Sequence, residues 1–97
     1  MARDSVYADG MFFVYYLQGN SDGRFYVGYS SDLRRRVDEH NRGNNTSTRG
    51  QSWSLVYYEA YLTESAARKR ERVLKGDGRT RRWLTARIRQ MLDETSD

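Results

Sequence analysis

The sequence predicts an α+β fold: a three-stranded, mainly antiparallel sheet flanked by helices, in the order β-β-α-β-α-α. Three observations carry this expectation. Two strand-like runs rich in aromatic residues, 11–17 and 24–30, are joined by Gly19-Asn20-Ser21-Asp22-Gly23, whose glycines and Asx residues suit a hairpin turn. Leu33, Arg36, Val37 and His40 follow a helical i, i+3, i+4, i+7 period. A third β-branched and aromatic run, Trp53 to Leu62, precedes two basic helical segments divided by Gly76-Asp77-Gly78.

Taken in order, residues 1–10 lack periodicity and read as a loose N-terminal segment. Met11 to Leu17 is a continuous apolar run rich in aromatic residues and reads as a buried strand. Arg24 to Ser30 returns antiparallel to it. Ser31 or Asp32 can cap the first helix through a side-chain oxygen, and that helix runs to about Asn41. Arg34, Arg35, Asp38 and Glu39 fall off its Leu33–His40 face. Residues 41–52 form a long polar loop, a length usually functional or mobile in a small domain. Thr63 or Ser65 opens the second helix, through about Lys75. The last helix spans Thr80 to about Met91, with Trp83, Leu84, Ile88, Met91 and Leu92 as its apolar contacts. The single domain is thus expected over 11–92, with an acidic tail at 93–97.

The 97 residues leave room for one core. The chain contains no cysteine, which excludes disulfides and thiolate metal sites. No apolar run approaches the roughly 18 residues of a spanning helix, and the N-terminus lacks the basic-then-apolar order of a signal peptide. A soluble cytoplasmic protein without membrane contact is expected.

The formal charge is +4, and 15 of the 17 basic residues are arginine. Ten basic residues crowd 68–89, opposed there only by Glu71 and Asp77. Planar guanidinium groups grip phosphate oxygens in pairs. Arg42, Arg49, Lys69, Arg72, Lys75 and Arg79 are therefore candidate phosphate contacts, giving affinity without sequence information.

Eight tyrosines cannot all be functional, and a lone histidine or helical glutamate is by itself unremarkable. Their joint spacing is more specific. A first-strand Tyr15, a second-strand Tyr26 followed by Val27 and Gly28, then Arg36 and His40 one turn apart, and Glu71 on a later helix, together resemble the GIY-YIG nuclease family. The two motifs are written here Phe13-Val14-Tyr15 and Tyr26-Val27-Gly28. Glu39-His40-Asn41 and Lys69-Arg70-Glu71 with Leu74-Lys75 look most like its small standalone bacterial members. Three apolar strand residues replace the named Gly and Ile, and no asparagine follows Asn45 to fill the late position some branches use.

The resemblance implies a metal-dependent DNA endonuclease with Tyr15, Tyr26, Arg36, His40 and Glu71 as catalytic residues, Gly28 structural, and Glu71 the anchor for Mg²⁺ or Mn²⁺. Phosphodiester hydrolysis needs a deprotonated water, compensation of negative charge in the transition state, and a stabilised leaving oxygen. Arg36 can meet the phosphate charge. Tyr15 or Tyr26, with a pKa lowered by nearby cations, can take the proton. Family analogy favours Tyr15 as the base and Tyr26 as an orienting group, with His40 relaying the proton or holding phosphate. A hairpin loop over Gly19–Asp22 would place Tyr15 directly opposite Tyr26. With no extra domain to read bases, weak specificity or a targeting partner protein is expected. The rival readings are a non-catalytic nucleic-acid-binding module on the same fold and a structural interaction domain.

Overall fold

The computed structural model describes residues 10–43 and 45–95. Strands β1 (Phe12–Gly19), β2 (Phe25–Ser30) and β3 (Trp53–Tyr61) form one antiparallel sheet in the order β2-β1-β3. Helices α1 (Leu33–Asn41), α2 (Glu64–Gly76) and α3 (Gly78–Thr95) complete the β-β-α-β-α-α order that the sequence predicts. Residues 1–9 of the expected N-terminal segment and the end of the acidic tail lie outside the described residues. Among the described residues no helix is long and apolar enough to cross a membrane.

The central strand explains the layering. Phe13 through Leu17 are all buried, so successive side chains must be covered on both faces. On one face Val14 and Tyr16 pack with Ala67 and Leu74 of α2 and Leu84 and Ile88 of α3. On the other, Tyr15, Leu17 and Trp53 pack with Tyr26 and with Leu33 and Val37 of α1. Full burial of Leu74 or Ile88 contributes about 1.5–3 kcal/mol each. The α1 face is the smaller and more polar one, and it carries the tyrosine pair.

Caps set the helix boundaries. Asp32 Oδ1 accepts from the Arg35 N–H at 3.2 Å, and Thr63 Oγ1 from the Ala66 N–H at 3.2 Å. Asp77 ends α2 and starts α3, since its carboxylate accepts from the Arg79 N–H at 3.0 Å and from the Thr80 hydroxyl at 3.0 Å. The last helix therefore begins at Gly78 and extends through Thr95, beyond the expected Met91 and into the acidic tail. Arg81 Nη1 donates to the carbonyls of Leu74 and Lys75 at 3.1 and 3.0 Å, tying the first turn of α3 to the end of α2.

Two side chains expected as apolar contacts of the last helix are exposed instead: Trp83, at 64% on the outer face of α3, and Met91, at 39%. Arg70, at the centre of the apolar stripe of α2, is neutralised from the sheet. Its Nε and Nη2 donate to the two carboxylate oxygens of Glu59 at 2.9 and 3.0 Å, and the hydroxyls of Tyr57 and Tyr61 donate to the same carboxylate. Burial alone would raise the Glu59 pKa, but Arg70 and the two hydroxyls outweigh it and hold the carboxyl below its usual range.

Candidate active site

The hairpin turn decides where the tyrosines meet. Gly19 N–H donates to the Arg24 carbonyl at 2.8 Å and Gly23 N–H to the Gly19 carbonyl at 2.9 Å, with Gly23 at φ 72°. The loop is thus Asn20–Gly23, one residue later than expected, and β2 starts at Phe25. The register becomes Leu17↔Tyr26 and Tyr15↔Gly28. Tyr15 and Tyr26 are consequently diagonal rather than directly opposed. They still share one face, because a shift of two residues preserves the alternation. Their ring centroids lie 6.4 Å apart.

Gly28 follows from this register. A Cβ there would run into the Tyr15 ring and hydroxyl, so the tyrosine lies across a strand position that only glycine leaves open. The ring is held by packing below and by a hydrogen bond at its tip.

That hydrogen bond belongs to a buried chain. Tyr15 Oη lies 2.9 Å from His40 Nε2, and His40 Nδ1 lies 2.8 Å from Thr48 Oγ1. Tyr15, His40 and Thr48 are each 1% exposed or less. The ring contacts fit either tautomer. With the Thr48 hydroxyl turned to the Asn45 carbonyl, 3.3 Å away, Thr48 accepts from Nδ1–H and Nε2 accepts from the Tyr15 hydroxyl. Burial, and secondarily the Arg36 charge, lower the His40 pKa, while Glu39 opposes them. The imidazole is therefore neutral near neutral pH, as this tautomer requires.

Tyr15 itself is a correction. Its pKa is not lowered but raised to about 12; burial is the main cause, Tyr26 and Glu71 add to it, and Arg36 only partly offsets it. A standing phenolate is thus excluded at neutral pH.

Arg36 and His40 project from α1 toward this face, as their spacing predicts. Arg34 and Arg35 are exposed. Glu39 does not turn away: its Oε1 accepts from Arg36 Nη1 at 3.0 Å. Arg36 Nε is buried and has no hydrogen-bond partner among the described residues, so the guanidinium is not saturated by protein acceptors.

Glu71 arrives from α2, which packs along the outer strand β2. Its side chain is 18% exposed and ion-paired to Lys75 at 3.0 Å. The Lys75 Nζ lies 5.8 Å from the Tyr26 ring centroid, and the Glu71 charge bears on the Tyr15 phenol. Lys75, expected among general phosphate contacts, sits at the site. The other candidate contacts are exposed and do not converge: Arg42 and Arg49 flank the loop beside His40, Lys69 and Arg72 lie on α2, and Arg79 on the first turn of α3. Among the described residues no group of three or more His, Asp or Glu side chains could hold a metal ion.

Sequence reasoning missed the wall that fixes the histidine. Residues 45–52 hold local structure rather than forming a free loop. A 3₁₀ turn, Thr46–Thr48, capped by Asn45, buries Thr48 completely. Trp53 Nε1 donates to the Thr48 carbonyl at 2.6 Å, and Asn41 pairs with the Trp53 backbone through bonds of 2.7 and 3.1 Å. The Asn45-to-Thr48 spacing is a capping signal that could have marked this turn.

Comparison with known proteins identifies the family. The family pattern described as the GIY-YIG catalytic domain matches residues 11–83. A UPF0213 protein of Haloquadratum walsbyi is 37% identical over 84 residues, covering 84% of this chain and 88% of the relative. One from Staphylococcus aureus is 46% identical over 66 residues, covering 65% and 78%. The solution NMR structure of a UPF0213 protein from Bacillus halodurans is 30% identical, with a TM-score of 0.48 and coverage of 78% and 83%. A match that spans both tyrosine strands, the Arg36–His40 helix and Glu71 makes this chain a member of the GIY-YIG catalytic-domain family.

Proposed function

We propose that the protein is a metal-dependent DNA endonuclease of low intrinsic specificity, cutting phosphodiester bonds at the Tyr15 face. The observation that carries this reading is the directed Tyr15–His40–Thr48 chain beside an unsaturated Arg36. A water approaching Tyr15 Oη gives it a proton as the Tyr15 proton passes to His40 Nε2, so no free phenolate forms. Thr48 accepts from Nδ1–H throughout and stabilises the transient imidazolium. The depressed His40 pKa then favours return of that proton to the departing products. Arg36 compensates charge on the non-bridging phosphate oxygens. Tyr26, against the His40 ring at 4.8 Å between centroids, orients water or phosphate.

The donor set suits a hard divalent cation, though with a single sheltered carboxylate. Mg²⁺ accepts few protein ligands when water and substrate phosphate oxygens fill the rest. Glu71 would hold it, and a bound Mg²⁺ or Mn²⁺ would polarise the phosphoryl group and acidify its water. DNA is the substrate, gripped through its backbone by the exposed arginines and lysines; a partner protein would supply targeting.

One observation favours a second reading. The Glu71 carboxylate is already neutralised by Lys75 at 3.0 Å, which a DNA-binding module without catalysis would retain. Plasmid nicking with Mg²⁺ or Mn²⁺, with and without chelator, separates the two. Glu71→Gln should keep folding and salt-sensitive DNA binding and lose metal-dependent nicking. Wild-type nicking by this variant at equal Mg²⁺ would refute the one-metal reading.

A further inference from the structure

The outer face of α3 is unused by the site described above. Arg79, Trp83 and Arg87 stand at i−4, i and i+4, on one face of the helix, with Arg82 beside them. None of residues 78–92 is acidic. Arg81 is occupied by the carbonyls of α2, and Arg89 lies over the Phe25 ring at 4.7 Å. The outer three arginines are all exposed.

Trp83 is the odd member. A fold of this size has every reason to bury a tryptophan, and Trp53 is 3% exposed; Trp83 is left 64% exposed. Among the described residues its one ring partner is the Arg87 guanidinium, 5.8 Å from the ring centroid, which leaves most of the indole open to solvent. An aromatic plane bracketed by guanidinium groups one turn away on either side presents a stacking surface between two phosphate-binding groups.

The helix packs on the sheet face opposite Tyr15, and its first turn is tied to the end of α2 beside Tyr26. Arg81 ties its first turn to the carbonyl of Lys75, whose ammonium lies over Tyr26. From Arg79 to Arg87 it then runs about 12 Å away from that anchor.

We propose that the Arg79–Trp83–Arg87 face of α3 binds single-stranded DNA continuous with the strand held at the Tyr15 face, with Trp83 stacking on an unpaired base. Duplex DNA does not meet this requirement, because its base faces are covered by their neighbours and only phosphates remain for the arginines. This deepens the endonuclease reading by naming the substrate class: DNA with an unpaired strand beside the cut phosphate.

The test is fluorescence anisotropy in chelator with the full-length protein, so that binding is read without cleavage. The probes are labelled oligo(dT) and a blunt duplex of the same length. Trp83→Ala should weaken oligo(dT) binding about tenfold and duplex binding far less. Trp83→Phe, which keeps a stacking ring, should retain most of the affinity, whereas Trp83→Leu should behave as the alanine variant. Unchanged thermal melts will show that each variant folds. Equal loss on both probes, or no loss on oligo(dT), overturns the stacking site while leaving the endonuclease reading in place. A wild-type protein that binds neither probe overturns both.

Discussion

Thr48→Val removes one oxygen from a fully buried side chain and keeps its shape. The lost group is the acceptor that holds the proton on His40 Nδ1, at 2.8 Å. An Nδ1–H buried without an acceptor costs about 1–3 kcal/mol. The imidazole avoids much of that cost by moving its proton to Nε2, where Tyr15 can accept it. In that tautomer His40 no longer takes a proton from Tyr15. A penalty of this size on the productive tautomer lowers the cleavage rate by about 5- to 150-fold. DNA affinity should be nearly unchanged, because the residue does not reach the surface. Single-turnover cleavage at saturating protein measures the rate. His40 is the only histidine in the chain, so ¹⁵N NMR of the ring reports the tautomer without assignment: Nδ1–H in wild type, a shift toward Nε2–H in the variant. Wild-type cleavage by Thr48→Val, or an Nε2–H tautomer in the unmodified protein, would refute the directed chain.

Two further consequences follow. Gly28→Ala inserts a methyl into the Tyr15 ring and hydroxyl; it should destabilise by about 1–3 kcal/mol in chemical denaturation and impair cleavage by displacing the tyrosine. Protonation of His40 should weaken both stability and activity in acid. Its folded pKa is below the ordinary 6.5, so below that value the unfolded chain takes up a proton that the native state resists. Stability is then full above pH 6.5 and falls as pH drops toward the folded pKa. His40→Gln should flatten this part of the denaturation profile; an unchanged slope would mean that other groups cause it.

Much of this was legible in the sequence for definite physical reasons. The Leu33–His40 period put Arg36 and His40 on one buried face because helical geometry leaves little choice. The hairpin kept both tyrosines on one face, although its loop slid by one residue: turn hydrogen bonds at Gly19 and Gly23 set the register, and residue types alone do not distinguish the two loops. Glu71 pairs with Lys75 beside Tyr26, while its neighbour Arg70 is drawn inward by Glu59. The facing of Glu59 was hidden by a bulge. Tyr16 pairs with Tyr57 and Leu17 with Leu55, so Val56 is an extra residue that breaks the alternation of β3. Thr48 was invisible because its role arises from a tertiary contact eight residues from His40, inside a segment that has no periodicity. Exposure of Trp83 was missed because a basic helix with apolar residues on several sides does not reveal which of them its neighbours cover.

The most direct test is single-turnover, metal-dependent DNA cleavage by Tyr15→Phe. Phenylalanine keeps the ring over Gly28 and deletes only the oxygen bonded to His40. The account predicts a loss of about 10²–10⁴-fold in rate, with DNA affinity and melting temperature close to wild type. Cleavage at the wild-type rate by a folded, DNA-binding Tyr15→Phe would contradict it.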